Sequence, residues 1–322
     1  MLAERRILVL GGGGFVGAHL LTALSSRFGG TAHIVNTSYE NLPPDTLALD
    51  ICDTEAVRAL VQHEKPTHIV NLAAIAAPAE ARLEPDLAWE LHALAPDRLG
   101  RMLLAEMPEC WFLHVSSGLV YGRSALGLEA IDEAARLDPI DTYAMTKAAG
   151  DLALGVLAGD GFKCLRLRPF NHIGPGQSES FVVAAFASQI IRIQRGLQEP
   201  KLKVGNLSAV RDFLDVRDVA DAYAVLIGCT SKLEPGTIFN IASGTGWNMS
   251  ALLDQLVDMS GLDITVETDP DRQRPSDLPE IVGNAEALSR KTGWSPRISI
   301  ERTLTDTLDY FSEKIGDEGR TG

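Results

Sequence analysis

The chain has 322 residues, enough for about two domains of roughly 150 residues or for one large α/β unit, and long enough to bury a real core. Hydrophobic residues make up 45% and charged residues 22%, and Lys+Arg 29 against Asp+Glu 43 leaves a net charge of −14; this is a globular composition whose sign argues against nucleic-acid and anionic-membrane partners but leaves room for a local phosphate pocket. The four cysteines, Cys52, Cys110, Cys164 and Cys229, form no CxxC, which argues against a disulfide scaffold or structural zinc site and fits a reducing cytoplasm.

The start, MLAERRILVLGGGG, has the charge-then-apolar order of a signal peptide. Its apolar part is shorter than the roughly 7–15 residues such a segment needs, so it reads as a buried strand entering a glycine turn. No apolar run approaches the roughly 18 residues of a membrane span. Strands are expected over 6–10, 33–36, 47–49, 68–72, 111–115 and 163–167, with helices over 15–28, 54–63, 85–107 and 143–158. This alternation, with near-continuous apolar strands, predicts an α/β fold: a doubly wound parallel sheet of Rossmann type, with ligands outside the C-terminal strand ends.

After Pro169 the pattern loosens. The turn signal Gly174-Pro175-Gly176 precedes an apolar stretch 181–193, a strand 202–204, a helix 216–227, a strand 237–241 and helices over 249–259 and 300–311. These divide the chain into a dinucleotide-binding domain over 1–169, with returns near 214–242, and a smaller C-terminal α/β substrate domain over 170–213 and 243–313. A flexible tail is expected over 314–322. Trp247 and Trp294 are expected to pack the smaller domain, and Trp111 and His114 the core.

Gly11-Gly12-Gly13-Gly14-Phe15-Val16-Gly17 follows an expected strand and opens an expected helix. Gly11 can make the tight turn, Gly14 lets the backbone approach a pyrophosphate at the helix N-terminus, and Gly17 allows close helix–sheet packing. The spacing is GxxGxxG rather than GxGxxG. A ligand-free glycine turn is the competing reading, and the flanking elements weigh against it. Asp50-Ile51 closes the third strand, where a carboxylate and an aliphatic side chain can hold an adenine. Without the glycine turn, an exposed strand-end Asp explains that pair equally well. The second strand ends at Asn36-Thr37-Ser38, with no acid for a ribose diol and no arginine for a 2′-phosphate. The cofactor is therefore read as NAD(H) or NADP(H), leaning to NADP(H).

Tyr143-Ala144-Met145-Thr146-Lys147 sets Tyr and Lys on one helix face. A free phenol ionises near about 10. A lysine cation and a helix N-terminus should lower that value and make Tyr143 a general acid/base, with Ser117 beyond the fifth strand donating to a carbonyl oxygen. YxxxK alone more often marks an amphipathic helix with a surface lysine; the glycine fingerprint and the strand-end run Ser116–Gly122 reverse that order.

On these motifs the chain resembles the extended short-chain dehydrogenase/reductase family over nearly its whole length. The resemblance rests on GGGGFVG (11–17), Asp50-Ile51, NLAA (71–74), SSGLVYG (116–122), YAMTK (143–147) and RPFN (168–171). It implies a catalytic set of Ser117, Tyr143 and Lys147, the last two also touching the cofactor. It further implies a cofactor site made by Gly11, Gly14, Phe15, Val16, Gly17, Asn36, Asp50, Ile51, Leu72, Ala73 and Ala74.

The later half, RPFNHIGPGQ (168–177), KVGNLSAVRDFLDVRDVADAY (203–223) and RPSDLP (274–279), resembles the family's reductases of GDP-4-keto-6-deoxy-mannose, which make GDP-rhamnose. This implies a nucleotide-diphosphate-sugar substrate held by Ser117, Asn171, Arg211 and Arg274, no metal, and a homodimer through helices containing 87–104 and 152–157. Arginine suits forked hydrogen bonds to phosphate, although ion pairs with Asp212 or Asp277 compete for each.

Two positions depart from the pattern. Dehydratases of this family carry an acid just after the catalytic serine, and the reductases often retain one; here Gly118-Leu119 can move no proton, which disfavours dehydration. Such reductases also tend to carry an acid for guanine where Ala184-Ala185 stand. The expected activity is NAD(P)H-dependent reduction of the C4 ketone. The rivals are a nucleotide-sugar 4-epimerase, a 4,6-dehydratase, and an NAD(P)-binding sensor or scaffold, which the intact triad argues against. His172 either shapes the sugar pocket or packs.

Overall fold

The run Ile7–Leu10 is shut off from solvent on both faces, as an interior strand of a parallel sheet requires. It lies in β1 (Arg5–Leu10), which opens the chain in a computed structural model that describes residues 5–40, 42–270 and 278–318. There follow α1 (Phe15–Phe28), β2 (Ala32–Ser38), β3 (Thr46–Ala48), α2 (Thr54–Glu64), β4 (His68–Asn71), α3 (Pro78–Leu83), α4 (Pro85–Trp89), α5 (Ala95–Glu106), β5 (Trp111–Val115), α6 (Thr142–Gly159) and β6 (Cys164–Pro169). The second part comprises β7 (Asn171–Ile173), α7 (Val182–Gln194), β8 (Lys201–Val204), β9 (Val210–Asp215), α8 (Val216–Cys229), β10 (Thr237–Ile241), β11 (Gly246–Asn248), α9 (Met249–Ser260), β12 (Thr265–Thr268), β13 (Glu280–Ile281), α10 (Glu286–Thr292) and α11 (Ile300–Glu318).

Among the described residues, seven parallel strands align in the order β10-β6-β5-β4-β1-β2-β3, the doubly wound sheet expected. The order reverses between β1 and β4, which places a crevice above their C-terminal ends. One core, with Leu20, Leu24, Tyr223 and Phe239, lies under α1 and α8; the other, with Val57, Leu99 and Leu154, lies under α2, α5 and α6. The single helix expected over 85–107 is instead α4 and α5 joined by a π-helical turn, Glu90–Leu94. Pro96 has no N–H for the His92 carbonyl, and a wider turn accommodates that gap.

A buried ionic cluster fixes α6 to the sheet. Asp151 is 0% exposed and accepts from Arg168 Nε (2.9 Å) and Nη2 (2.7 Å) and from Arg166 Nη1 (3.1 Å). Arg168 also donates to the Tyr121 hydroxyl (3.0 Å), which donates to Asn240 Oδ1 (2.7 Å).

The smaller sheet is built on β9, flanked by β11 and β13 and joined by β7, while β8 and β12 pair separately. The sequence predicts β8 and β10 but not β7, β9, β11, β12 or β13. Their pattern is too short or too charged for a period-2 signal: β9 carries Arg211 and Asp212, and β13 has two residues. Two further expectations are corrected. Trp294 does not pack the smaller lobe; its indole N–H donates to the Asp218 carbonyl (3.2 Å) and it joins the core under α1 and α8. The chain beyond 313 does not begin a tail, because α11 continues to Glu318, with Ile315 buried against Ala184, Ala187 and Ile191. Among the described residues no helix is long and apolar enough to cross a membrane.

Candidate active site

The glycine turn sits at the end of β1. Gly11 has φ +77°, and a Cβ there would lie 2.6 Å from the Ala73 amide nitrogen; a Cβ on Gly17 would lie 2.3 Å from the Gly12 carbonyl oxygen. Packing therefore demands glycine at both. Gly14 differs: its Cβ would meet only the Gly11 carbonyl oxygen, at 3.5 Å, so its outer side is open. Helix α1 starts there with no side-chain cap and no acid in its first turn. Its uncapped N–H groups face a cavity of about 770 Å³ walled by Gly11, Gly14, Phe15, Val16 and Gly17. Open backbone at a helix N-terminus fits the pyrophosphate of a dinucleotide.

Asp50, Ile51, Leu72, Ala73 and Ala74 line the same cavity, and the Asp50 carboxylate accepts the Cys52 N–H (2.8 Å). Asn36 does not line it. Strand β2 continues to Ser38, so Asn36 lies beneath the glycine turn: it is 7% exposed, its amide donates to the Thr46 hydroxyl (2.9 Å), and its Oδ1 would be 1.8 Å from a Cβ on Gly12. The wall at this end is Ser38, Tyr39 and Glu40. Sequence reasoning missed these residues because it ended the strand two residues early.

Across the strand ends, Asp141 caps α6 by accepting the Ala144 N–H (2.7 Å). That puts Tyr143 in the first turn and Lys147 one turn later, both on the cavity wall with Ser117. Burial pushes the Tyr143 phenol up to about 12, and a hydrogen bond with Ser117 opposes the shift. Burial pushes Lys147 down to about 7, and its Nζ donates to the Val115 carbonyl (2.9 Å). This corrects the expectation of a lowered phenol: desolvation sets the direction of the shift. A phenol held protonated is a proton donor at neutral pH.

His92, on the π-helical turn, supports this pair and went unread in the sequence. Its Nε2 donates to the Ile75 carbonyl (3.1 Å), which leaves Nδ1 to accept from the Thr146 hydroxyl (2.8 Å), and its ring stands edge-on to Tyr143 at 5.5 Å. Burial pushes the imidazole down to about 2, so it is neutral. Pro96 was the available signal, as a proline inside a helical pattern.

On the substrate side, Asn171 lines the cavity, as do His172, which stacks on Phe15 with centroids 6.1 Å apart, and Gln177, which donates to the His172 carbonyl (2.9 Å). His172 is therefore a wall residue. Its Nδ1 donates to the Phe170 carbonyl (3.0 Å). A Cβ on Gly118 would lie 2.9 Å from the Phe170 ring, so that position has no room for an acid, and Leu119 presents an aliphatic side chain to the cavity. Ala184 is buried beside Phe311 and Ile315, and neither it nor Ala185 lines the cavity. Arg211 does not reach the wall: its guanidinium donates to the Val210 (2.7 Å), Leu278 (2.9 Å) and Pro279 (3.5 Å) carbonyls. Arg274 lies outside the described residues.

The sequence profile of the GDP-mannose 4,6 dehydratase family matches residues 8–307. The chain belongs to this family. The extended short-chain dehydrogenase/reductase resemblance carried by the motifs is the same relationship. This member of the GDP-mannose 4,6 dehydratase family is 34% identical over 316 residues to GDP-6-deoxy-D-mannose reductase of Pseudomonas aeruginosa, covering 98% of this chain and 99% of the relative. The solved structure of RMD from Pseudomonas aeruginosa complexed with NADPH superposes with a TM-score of 0.83 at 30% identity, covering 96% and 99% of the two chains. That of Thermus thermophilus UDP-glucose 4-epimerase in complex with NAD gives 0.82 at 28%, covering 95% and 98%.

Proposed function

We propose that this protein is an NAD(P)H-dependent reductase of a nucleotide-linked 4-keto-6-deoxy sugar, converting GDP-4-keto-6-deoxy-mannose to GDP-rhamnose. The observation that carries the reading is the convergence of an uncapped helix N-terminus and the Ser117–Tyr143–Lys147 set on one cavity. The 34% identical relative is a reductase by name, which agrees. The reductant is NADPH or NADH, and Ser38, Tyr39 and Glu40 are the wall residues that would sort the two.

When bound, the nicotinamide supplies the hydride that reaches the sugar's C4. The chain's own groups do the rest. Ser117 holds the ketone oxygen, and Tyr143 passes its phenolic proton to that oxygen as negative charge develops. Lys147 is assigned to the ribose beside Tyr143, and its ammonium form stabilises the phenolate that Tyr143 becomes when its proton leaves. Leu119 excludes water and offers no acid for chemistry at C5 or C6, which separates this reading from dehydration. Asn171 is assigned to the substrate diphosphate, with Arg274. Arg211 is assigned to ordering the backbone at 278–279 that follows Arg274.

The test is incubation with GDP-4-keto-6-deoxy-mannose and NADPH or NADH, with product identification by NMR. GDP-rhamnose is the expected product, and UDP-glucose and UDP-galactose should not interconvert. Steady interconversion of those two without added cofactor would favour the epimerase and remove the reductase assignment.

We also propose a homodimer through α6 and the α4–α5 segment beside it. Met145, Leu152 and Val156 share one exposed face of α6, and Leu94 is exposed on the π-helical turn between α4 and α5. An exposed apolar stripe of this length favours burial by a partner. Replacing Leu152 and Val156 together by glutamate should leave a folded monomer by light scattering; a dimer that persists would exclude this face. The four cysteines are unpaired, in keeping with a reducing compartment, and we place the enzyme in the cytoplasm.

A further inference from the structure

Tyr223 stands on α8 and is fully buried, yet it lines the cavity. Its hydroxyl has no hydrogen-bond partner among the described residues. Folded proteins rarely leave a buried hydroxyl unpaired, because the lost hydration is not recovered. The contrast lies in the same core: Tyr121 is equally buried, and Arg168 and Asn240 hold its hydroxyl. Tyr121, the other tyrosine buried to this degree, is thus held by the framework, and Tyr223 is not.

Geometry places the Tyr223 side chain at the strand ends. Helix α8 begins beside the cavity rim, where Val216 approaches Gly174, and helical side chains tilt toward the N-terminus. Tyr223 therefore leans toward the cavity from the sheet face that carries α1 and α8, while Tyr143 comes from the face that carries α6. Tyr223 belongs to the core whose strand residues come from β1, β4, β5, β6 and β10, and Ser117, Tyr143 and Lys147 meet beyond the ends of β5 and β6. Asp50 and Ile51 mark the far end, beyond β3. Burial pushes the Tyr223 phenol up, with a smaller contribution in the same direction from the charge of Tyr143, so its hydroxyl keeps its proton.

We propose that Tyr223 is a further cofactor-binding residue, its hydroxyl pairing with the carboxamide at the nicotinamide end. The carboxamide both donates and accepts, so it can satisfy a phenol in either sense. This assignment rests on the nicotinamide reading of the cavity.

The test is Tyr223→Phe, which keeps the ring and removes the hydroxyl. The dissociation constants of NADPH and NADH should each rise roughly 3- to 10-fold, the loss of one neutral hydrogen bond. Binding of ADP-ribose and of its 2′-phosphorylated form, which lack the nicotinamide, should be unchanged, and the ligand-free melting temperature should hold or rise. An unchanged dinucleotide affinity overturns the assignment, as does an equal loss for the nicotinamide-free fragments. A lowered melting temperature with unaltered affinity also overturns it, because the hydroxyl would then belong to the framework through a buried water. Failure of wild-type protein to bind any of these ligands would instead remove the nicotinamide reading itself.

Discussion

Replacing Tyr143 by phenylalanine should lower kcat by roughly 10²–10⁴-fold while leaving NADPH binding nearly unchanged. Only the phenolic oxygen and its proton are removed. The ring still fills its place on the cavity wall beside the edge of His92. Burial holds the phenol at about 12, so in the wild-type protein essentially every molecule carries this proton at neutral pH. Ser117 still polarises the ketone in the variant, but the developing alkoxide must take its proton from water. The check is turnover on GDP-4-keto-6-deoxy-mannose beside a calorimetric titration with NADPH. A variant that keeps more than about a tenth of the wild-type rate would take Tyr143 out of the proton-donor role.

Asp151→Ala should destabilise the fold by about 3–5 kcal/mol, the usual consequence of breaking a buried ion pair from one side. Asp151 is fully buried and takes three hydrogen bonds from Arg166 and Arg168. Its removal strands the Arg168 guanidinium, 2% exposed, with the Tyr121 hydroxyl as its remaining side-chain hydrogen bond among the described residues. Urea denaturation of the variant and wild type gives the difference. Replacing Asp151 by leucine and Arg168 by methionine together should recover much of it, because an apolar pair of similar size carries no desolvation penalty. A single variant within about 1 kcal/mol of wild type would mean that water reaches the arginine, contrary to its burial.

The placement of both side chains on α6 shows how much of this protein is local. Tyr143 and Lys147 share a face because the α-helix brings residues four apart together, and Asp141 starts the helix by capping it. Gly11 takes a positive φ, and Gly14 and Gly17 meet only their own turn, so the glycine turn too is local, although Ala73 also closes on Gly11. The parallel sheet follows from strand-length apolar runs alternating with helical ones. All of these are relations within one short segment, and the sequence displays them directly.

The remaining decisions were made between segments. Asn36 went beneath the glycine turn because β1 and β2 pair through to Thr37, which carried the strand past the apparent end. Arg211 turned to the carbonyls of 278–279 because β13 lies alongside β9. The β9 sheet went unpredicted because its strands find partners up to about seventy residues away, and no pattern within a strand names its partner. Burial set the phenol and the lysine in the opposite sense to their spacing, since desolvation depends on every element that closes over them. Spacing along the chain determined which chemical groups stand together on one element. Only the packing of separate elements decided which of those groups reach the cavity, what surrounds them and in what charge state they are held, because burial and pairing are properties of surfaces that the chain brings together from far apart.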